Sequence, residues 1–160
     1  MVIQMNDNEK TPSVLSSGQN NIETPTASNT LSEEKETLSF KPMILIAEDN
    51  SDNYLLLKCI LQSNYTLLHA WNGKEAIELY KQQHPQLVLM DIRMPGIDGF
   101  EATAEIRKIS TTVPIIAITA YAYAQDIEQI LKSGFNNYIS KPIDVINLKE
   151  KVREIFEINE

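Results

Sequence analysis

The sequence contains little cysteine, few glycines and no long apolar run. Cys59 is the only cysteine among 160 residues, so no disulfide can form within the chain and a reducing, cytoplasmic location is the simpler expectation. No apolar run approaches the roughly 20 residues that span a bilayer. The start, MVIQMNDNEK, has neither the basic region nor the apolar core of a secretory signal.

Basic residues are also in deficit. The sequence has 14 Lys and Arg against 22 Asp and Glu, which gives a formal net charge of −8. Nucleic acids and acidic membranes attract basic protein surfaces, so neither is expected as a partner. The content of hydrophobic residues, 42%, is typical of globular proteins, and the length allows one ordinary domain with an additional segment.

The additional segment is at the start, where aromatic residues are absent. The first 39 residues contain none, and Ser, Thr and Asn fill more than half of the positions between Thr11 and Ser32. Such a segment has little apolar surface to offset the entropy of ordering, roughly 1–2 kcal/mol per residue. Residues 1–41 are therefore predicted to be a disordered tail or linker, and residues 42–160 the folded domain.

From Pro42 onward, short apolar runs alternate with segments of helical periodicity. The clearest helix covers residues 144–158, with Asp144 at the N-cap position, while Gly73 precedes a second helix and Gly134 follows a third. Strands that alternate with helices predict a parallel sheet, and continuous apolar runs indicate strands covered on both faces. The five runs are MILIA (43–47), YTLLHA (65–70), LVLM (87–90), PIIAIT (114–119) and YIS (138–140).

Polar residues stand at the ends of four of these runs: Glu48 and Asp49, Asp91, Thr119, and Lys141. The carboxyl ends of parallel strands share one edge of the sheet, where ligands bind. Three carboxylates placed together repel one another, and hard oxygen ligands suit Mg²⁺. Carboxylates also serve as nucleophiles toward phosphoryl groups, whose charge Lys141 and a metal would neutralise.

Four motifs carry a resemblance to a known family. ILIAEDN, LVLMDIRMPGIDGFE, PIIAITA and YISKP, in this order and spacing, resemble the receiver domains of two-component response regulators. EDN followed by Asn53, together with MDIRMPGIDG, is most similar to receivers attached to hybrid sensor histidine kinases. The resemblance extends over residues 43–159. It implies a flavodoxin-like, doubly wound α/β fold with strand order 2-1-3-4-5.

The resemblance implies a metal site centred on Asp91, the phospho-acceptor. Asp49 would bind Mg²⁺ directly, Glu48 partly through water, and the backbone carbonyl of Arg93 would be a further ligand. The sequence departs from many family members in having Glu48 where they have Asp. Receivers of hybrid kinases often carry Glu there, so this departure leaves the metal site in place.

The resemblance also implies which residues bind the phosphoryl group and respond to it. Thr119 and Lys141 would each contact a phosphoryl oxygen, and the peptide bond between Lys141 and Pro142 would be cis. Tyr138 would be the mobile switch aromatic. Two large side chains, Arg93 and Tyr121, would control water access and so tune hydrolysis of the aspartyl phosphate.

Several other residues are expected to be structural. Turn geometry after Asp91 is predicted from Pro95, Gly96 and Gly99, with Asp98 as the cap of the following helix. Cys59 is expected to be a small core residue rather than a redox sensor. The remaining residues of interest, Trp71, His69 and His84, lack metal-ligand spacing.

The first helix carries more apolar residues than one buried stripe requires. Leu57, Ile60 and Leu61 can fill the stripe, so part of a set comprising Leu55, Leu56 and Cys59 is expected to be exposed near Asp91. An apolar patch there suits a helical partner, and the resemblance implies a sensor histidine kinase or a histidine phosphotransfer protein. Tight packing of the whole helix by the tail or a loop is the alternative.

The predicted function is acceptance of a phosphoryl group from a phosphohistidine, followed by a change of surface. The chain would be no enzyme beyond its own phosphorylation and dephosphorylation. The sequence leaves open whether the chain is a free-standing regulator or the C-terminal receiver of a hybrid kinase. It also leaves open whether phosphorylation is linked to dimer formation. An aspartate-nucleophile phosphohydrolase is disfavoured because the first strand ends AEDNS rather than D-x-D, and a degenerate scaffold because the acids, Thr119 and Lys141 are intact.

Overall fold

The computed structural model of the protein describes residues 40–157. The predicted disordered segment 1–41 lies almost entirely outside the described residues, so it stays a prediction. Within the described range five strands alternate with five helices. The strands are β1 (Met43–Ala47), β2 (Thr66–Ala70), β3 (Leu87–Asp91), β4 (Ile115–Thr119) and β5 (Asn137–Ser140). The helices are α1 (Ser51–Leu61), α2 (Gly73–Gln83), α3 (Gly99–Ile109), α4 (Ala124–Lys132) and α5 (Val145–Glu157).

The described strands form one parallel sheet in the order β2-β1-β3-β4-β5. This order confirms the predicted doubly wound α/β fold. The chain runs from β1 to β2 on one side of β1 and then crosses back to β3 on the other side, so a crevice opens at the carboxyl ends of β1 and β3. None of the helices between residues 40 and 157 is long and apolar enough to cross a bilayer.

Both faces of the sheet are covered by helices. In β1, Leu45 and Ala47 pack with residues of α2, α3 and α4, whereas Ile44 and Ile46 pack with residues of α1 and α5. The central strands β3 and β4 are buried at every residue, as their continuous apolar runs predict. Strand β2 departs from the prediction, because it lies at the edge of the sheet and only Ala70 is buried.

Side-chain caps fix the beginnings of most helices. The Asp98 side chain accepts from the backbone N–H of Glu101 in a complete capping box, and Asp144 accepts from the N–H of Asn147, so both predicted caps are confirmed. Helix α2 begins at Gly73 itself, since Asn72 is its cap. Helix α4 differs, because the side chain of its N-cap residue, Tyr123, makes no capping hydrogen bond.

Helix α1 shows which of its apolar residues are surplus. Leu57 and Leu61 are buried, whereas Leu55 is 56% and Leu56 40% exposed. The expectation that Cys59 is a core residue is wrong, because its side chain is exposed. The helix buries one stripe against the sheet, and an apolar face remains on its outer side.

Candidate functional site

Three carboxylates meet at the carboxyl edge of the sheet. Glu48 and Asp49 follow β1, and Asp91 ends the neighbouring strand β3, whose register places Met90 opposite Ala47. One oxygen from each of the three side chains lies within 4.8 Å of the others. Glu48 and Asp91 are buried and Asp49 is exposed, so the cluster opens to solvent on the side of Asp49.

The Asp91 carboxylate is held by two donors. Its Oδ1 accepts a hydrogen bond from the backbone N–H of Arg93 at 3.0 Å, and its Oδ2 accepts one from Lys141 Nζ at 2.6 Å. The backbone behind the carboxylate is tightly packed: a Cβ added to Gly99 would lie 2.3 Å from the Asp91 carbonyl oxygen. Gly99 therefore allows α3 to begin directly against the end of β3.

Lys141 bridges the acids from the far end of the sheet. Its ammonium lies 2.6 Å from Asp91 Oδ2 and 3.0 Å from Glu48 Oε2, and its backbone N–H donates to the Thr119 carbonyl at 2.7 Å. The Lys141–Pro142 peptide bond is cis. Burial alone lowers the pKa of the Lys141 ammonium, but its hydrogen bonds and attraction to Asp91 and Glu48 together outweigh burial and raise the pKa.

Glu48 is fully buried and only partly satisfied. Its Oε1 accepts from the Asn50 backbone N–H and from Asn53 Nδ2, both at 3.2 Å. Its Oε2 is ion-paired with Lys141 but has no aligned hydrogen-bond donor. Burial, and then repulsion by Asp91, raise the pKa of the Glu48 carboxyl, while Lys141 and Asn53 oppose the rise.

This arrangement fits a divalent cation. When all groups are ionised, three negative carboxylates face the single positive charge of Lys141, so the cluster has excess negative charge. The buried Glu48 Oε2, which has the Lys141 ammonium nearby but no hydrogen bond of good geometry, can accept a further positive partner such as a metal ion. The donors are hard oxygens, which Mg²⁺ prefers.

Thr119 and Tyr121 form the other wall of the crevice. The Thr119 hydroxyl donates to the Tyr121 carbonyl and accepts from the Tyr121 N–H, each at 3.0 Å. The Arg93 guanidinium carbon lies 5.0 Å from the centre of the Tyr121 ring, within cation–π range. The two large side chains that follow Asp91 and Thr119 thus meet across the crevice.

Comparison with known proteins identifies the family. The sequence model of the response regulator receiver domain matches residues 44–153. The chain belongs to this family. Receiver domains are signalling modules of two-component systems rather than enzymes of the usual kind, and they bind Mg²⁺ in their acidic pocket.

Individual receiver domains show the same likeness. The polar-differentiation response regulator DivK of Brucella ovis is 36% identical over 113 residues, which cover 69% of this chain and 92% of DivK. The receiver domain of the sensor histidine kinase PA1611 from Pseudomonas aeruginosa, solved with magnesium coordinated in its active-site cleft, is 35% identical with a TM-score of 0.66; the match covers 71% of this chain and 96% of that one.

A third receiver was solved together with a partner. It is the receiver domain of the Saccharomyces cerevisiae response regulator Ssk1, in a co-crystal with the histidine phosphotransfer protein Ypd1. Its match has 31% identity and a TM-score of 0.67 and covers 71% of this chain and 88% of that one. Receiver domains thus interact with histidine phosphotransfer proteins or kinases.

Tyr138 of this receiver lies apart from the carboxylates. It is half-buried in β5 and packs against the core cluster beneath α2, α3 and α4. Lys151 Nζ lies 5.4 Å from its ring centre. The structure thus brings together the three predicted acids and Lys141, while Thr119 ends the neighbouring strand β4 and Tyr138 lies on the edge strand β5.

One residue near the receiver site escaped the sequence reasoning, which treated it as structural. His69 Nε2 lies 2.9 Å from the backbone carbonyl oxygen of Glu48. In the sequence, only its place as the second-to-last residue of β2 could have pointed to this contact, because β2 pairs with β1 and His69 lies opposite Ile46. That signal becomes readable only when the strand order 2-1-3 is used.

Proposed function

We propose that this receiver domain accepts a phosphoryl group on Asp91 from a phosphohistidine donor and changes its surface in response. The observation that carries the proposal is the state of the Asp91 carboxylate. Asp91 is only 3% exposed, its carboxylate is hydrogen-bonded to Lys141, and the carboxylates of Glu48 and Asp49 lie nearby as oxygen ligands that suit a metal ion. A carboxylate so held is oriented for attack on a phosphoryl group.

The transfer step follows from these contacts. An oxygen of the Asp91 carboxylate attacks the phosphorus, a new P–O bond forms, and the P–N bond of the phosphohistidine breaks. The donor imidazole nitrogen keeps the electron pair of the broken bond. Lys141, which now pairs with Asp91, is close enough to pair with a phosphoryl oxygen instead, and the Thr119 hydroxyl can donate to another.

Four groups would hold Mg²⁺: the carboxylates of Glu48, Asp49 and Asp91 and the backbone carbonyl of Arg93. A bound ion supplies positive charge that neutralises the phosphoryl oxygens during transfer. The chain itself supplies the orientation of the acids, because Glu48 is fixed by Asn50 and Asn53.

The switch would begin at Thr119. Its hydroxyl is engaged with the Tyr121 backbone in the described state, so turning toward a phosphoryl group must break this reciprocal pair. The space left behind would admit the ring of Tyr138 on the neighbouring strand β5. Contacts that differ between two states shift the balance between them, and the surface formed by α4, β5 and α5 would change most.

The docking surface for the donor is proposed on α1. Leu55, Leu56 and Cys59 are exposed on this helix, which begins directly after Asp49 and Asn50. A helical partner seated there would bring its phosphohistidine to the open side of the acid cluster. Support comes from the receiver of Ssk1, which was crystallised with a histidine phosphotransfer protein.

The wider setting of the domain stays a prediction. A free-standing regulator and the receiver part of a hybrid histidine kinase are both compatible with residues 40–157. A phosphorylation-linked dimer and the cytoplasmic location also remain predictions.

Labelling by acetyl phosphate with Mg²⁺ tests the proposed acceptor without a protein donor. Wild-type protein should gain one phosphoryl group and Asp91→Asn none. Asp98→Asn is the matched control, since Asn caps a helix as well as Asp does, and it should label like the wild type. Labelling of Asp91→Asn to the wild-type stoichiometry would disprove the assignment.

A further inference from the structure

His69 makes a polar contact with the main chain at the edge of the acid cluster. Its Nε2 lies 2.9 Å from the Glu48 carbonyl oxygen. A carbonyl oxygen can only accept, so the hydrogen bond requires a proton on Nε2 of His69. The ring therefore donates to the first residue after β1 from the neighbouring edge strand β2.

Two aromatic rings hold the imidazole in place. Tyr54 of α1 stacks on His69 with a centroid distance of 3.6 Å and an interplanar angle of 3°. Trp71, two residues further along the chain, lies 4.2 Å from His69 at an angle of 58°. With contacts to both, the half-buried ring has little freedom to turn its Nε2–H away from Glu48.

The bond completes a set of restraints on Glu48. The N–H of Glu48 donates to the Ala70 carbonyl at 3.1 Å, and its carbonyl accepts from His69. That carbonyl belongs to the peptide unit shared by Glu48 and Asp49, so the orientation of this unit sets the direction of both acidic side chains. Outer hydrogen bonds of this kind hold metal ligands in the geometry of the bound state.

We propose that His69 is a positioning residue for the metal site, because its Nε2–H fixes the Glu48–Asp49 peptide. This inference rests on the proposed function, in which both acids bind Mg²⁺. It assigns His69 a role in metal affinity, although within residues 40–157 its ring contacts a backbone carbonyl and no carboxylate oxygen.

Two substitutions distinguish the role of the His69 N–H donor from that of its aromatic ring. His69→Phe keeps an aromatic ring between Tyr54 and Trp71 but removes the N–H, whereas His69→Gln keeps an amide N–H and removes the ring. His84→Phe is the matched control, since this exposed histidine follows α2 and packs edge-on to Tyr80. Mg²⁺ affinity is measured by calorimetry on the full chain, with unfolding curves to establish that each variant is folded.

His69→Phe should weaken Mg²⁺ binding about tenfold, at the low end of the loss seen when outer hydrogen bonds to metal ligands are removed. His69→Gln should recover most of the affinity, and His84→Phe should bind like the wild type. Affinity of His69→Phe equal to that of the wild type would overturn the inference and leave the proposed function standing. Equal loss in both His69 variants would overturn the role of the N–H. If the wild type bound no Mg²⁺, the proposed function and this inference would both fail.

Nuclear magnetic resonance gives a readout that needs no metal. A long-range ¹H–¹⁵N spectrum of the metal-free wild type should show the His69 proton on Nε2. The ¹⁵N resonance of the Asp49 amide, whose peptide carbonyl accepts the bond, should move in His69→Phe and return toward its original position in His69→Gln. An unprotonated Nε2 in the wild type would overturn the inference even if His69→Phe failed to fold.

Discussion

The two walls of the crevice are held to very different degrees. On the β1 side, Glu48 makes hydrogen bonds with four residues: Asn50, Asn53, His69 and Ala70. The Asn50 side chain also caps α1 by accepting from the N–H groups of Asp52 and Asn53. On the β4 side, Thr119 makes hydrogen bonds with two residues, a reciprocal pair with Tyr121 and one from the Lys141 N–H to its carbonyl, and the N-cap residue of α4, Tyr123, makes no side-chain capping bond.

Burial follows the same division. Helix α1 buries Leu57 and Leu61, whereas Ile130 is the single buried residue of α4 in the described structure. Segments with few buried contacts and few capping bonds open at low cost in free energy, and moving parts of proteins are drawn from them. We therefore expect the β1 side to act as the fixed side of the proposed metal site, and the β4 side to move when the phosphoryl group binds.

The largest expected difference concerns leucines of the two helices. Leu57→Ala should lower the free energy of unfolding by about 2–5 kcal/mol, because it leaves a cavity beneath α1. Leu131→Ala on α4 should cost less than about 0.5 kcal/mol, because Leu131 is 46% exposed. Urea unfolding of both variants gives these values. Similar losses of stability in the two variants would contradict the claim that α1 is held more firmly than α4.

The fixed wall should also serve as the docking surface. Leu56→Glu should slow phosphotransfer from a cognate histidine donor by about tenfold or more, as charged replacements at the centre of an apolar contact do. Labelling by acetyl phosphate should be unchanged, since it needs no docking. Leu131→Glu, at a leucine of similar exposure on α4, is the control and should transfer normally. Loss with both donors would indicate a folding defect, and no loss with either would exclude α1 from the interface.

Adding the missing cap should make the two walls more alike. Tyr123 is 75% exposed and has the extended backbone, φ −72° and ψ 153°, that helix caps adopt. Tyr123→Asp should stabilise the domain by about 0.5–1 kcal/mol, because its carboxylate can accept from N–H groups of α4. Thermal unfolding measures the gain, with Tyr123→Ala as the control. An equal stability of the two variants would refute the capping argument.

The smallest expected effect is on the lifetime of the aspartyl phosphate. Arg93 and Tyr121 meet over the crevice, so removing either side chain should admit water and hasten loss of the phosphoryl group by a few-fold. A time course of Arg93→Ala, Tyr121→Ala and the double variant measures this. If the two act as one cover, the double variant should lose phosphate little faster than either single one. Unchanged or slower loss in both single variants would contradict the role.

The sequence predicted the strand ends that carry the site residues better than the surrounding contacts that hold them. The positions and ends of the strands were readable because β1, β3 and β4 are continuous apolar runs that stop at polar residues, whereas the strand order came from the family resemblance. The apolar run that ends at Ala70 did not by itself show that β2 is exposed; only the strand order implied by the resemblance places β2 at the edge of the sheet. Cys59 was misplaced because α1 has more apolar residues than its buried stripe holds, and periodicity alone cannot rank them. His69 needed the pairing of β2 with β1.

Hydrogen–deuterium exchange tests the contrast between the two walls most directly. Exchange is followed with Mg²⁺ present throughout, before and after phosphorylation by acetyl phosphate. On phosphorylation, amides of residues 120–132 should change their exchange rates, while those of α1 (Ser51–Leu61) should keep theirs. In Asp91→Asn, acetyl phosphate should change the exchange rates of neither segment. A change in α1 as large as that in α4, or the same change in Asp91→Asn, would contradict the account.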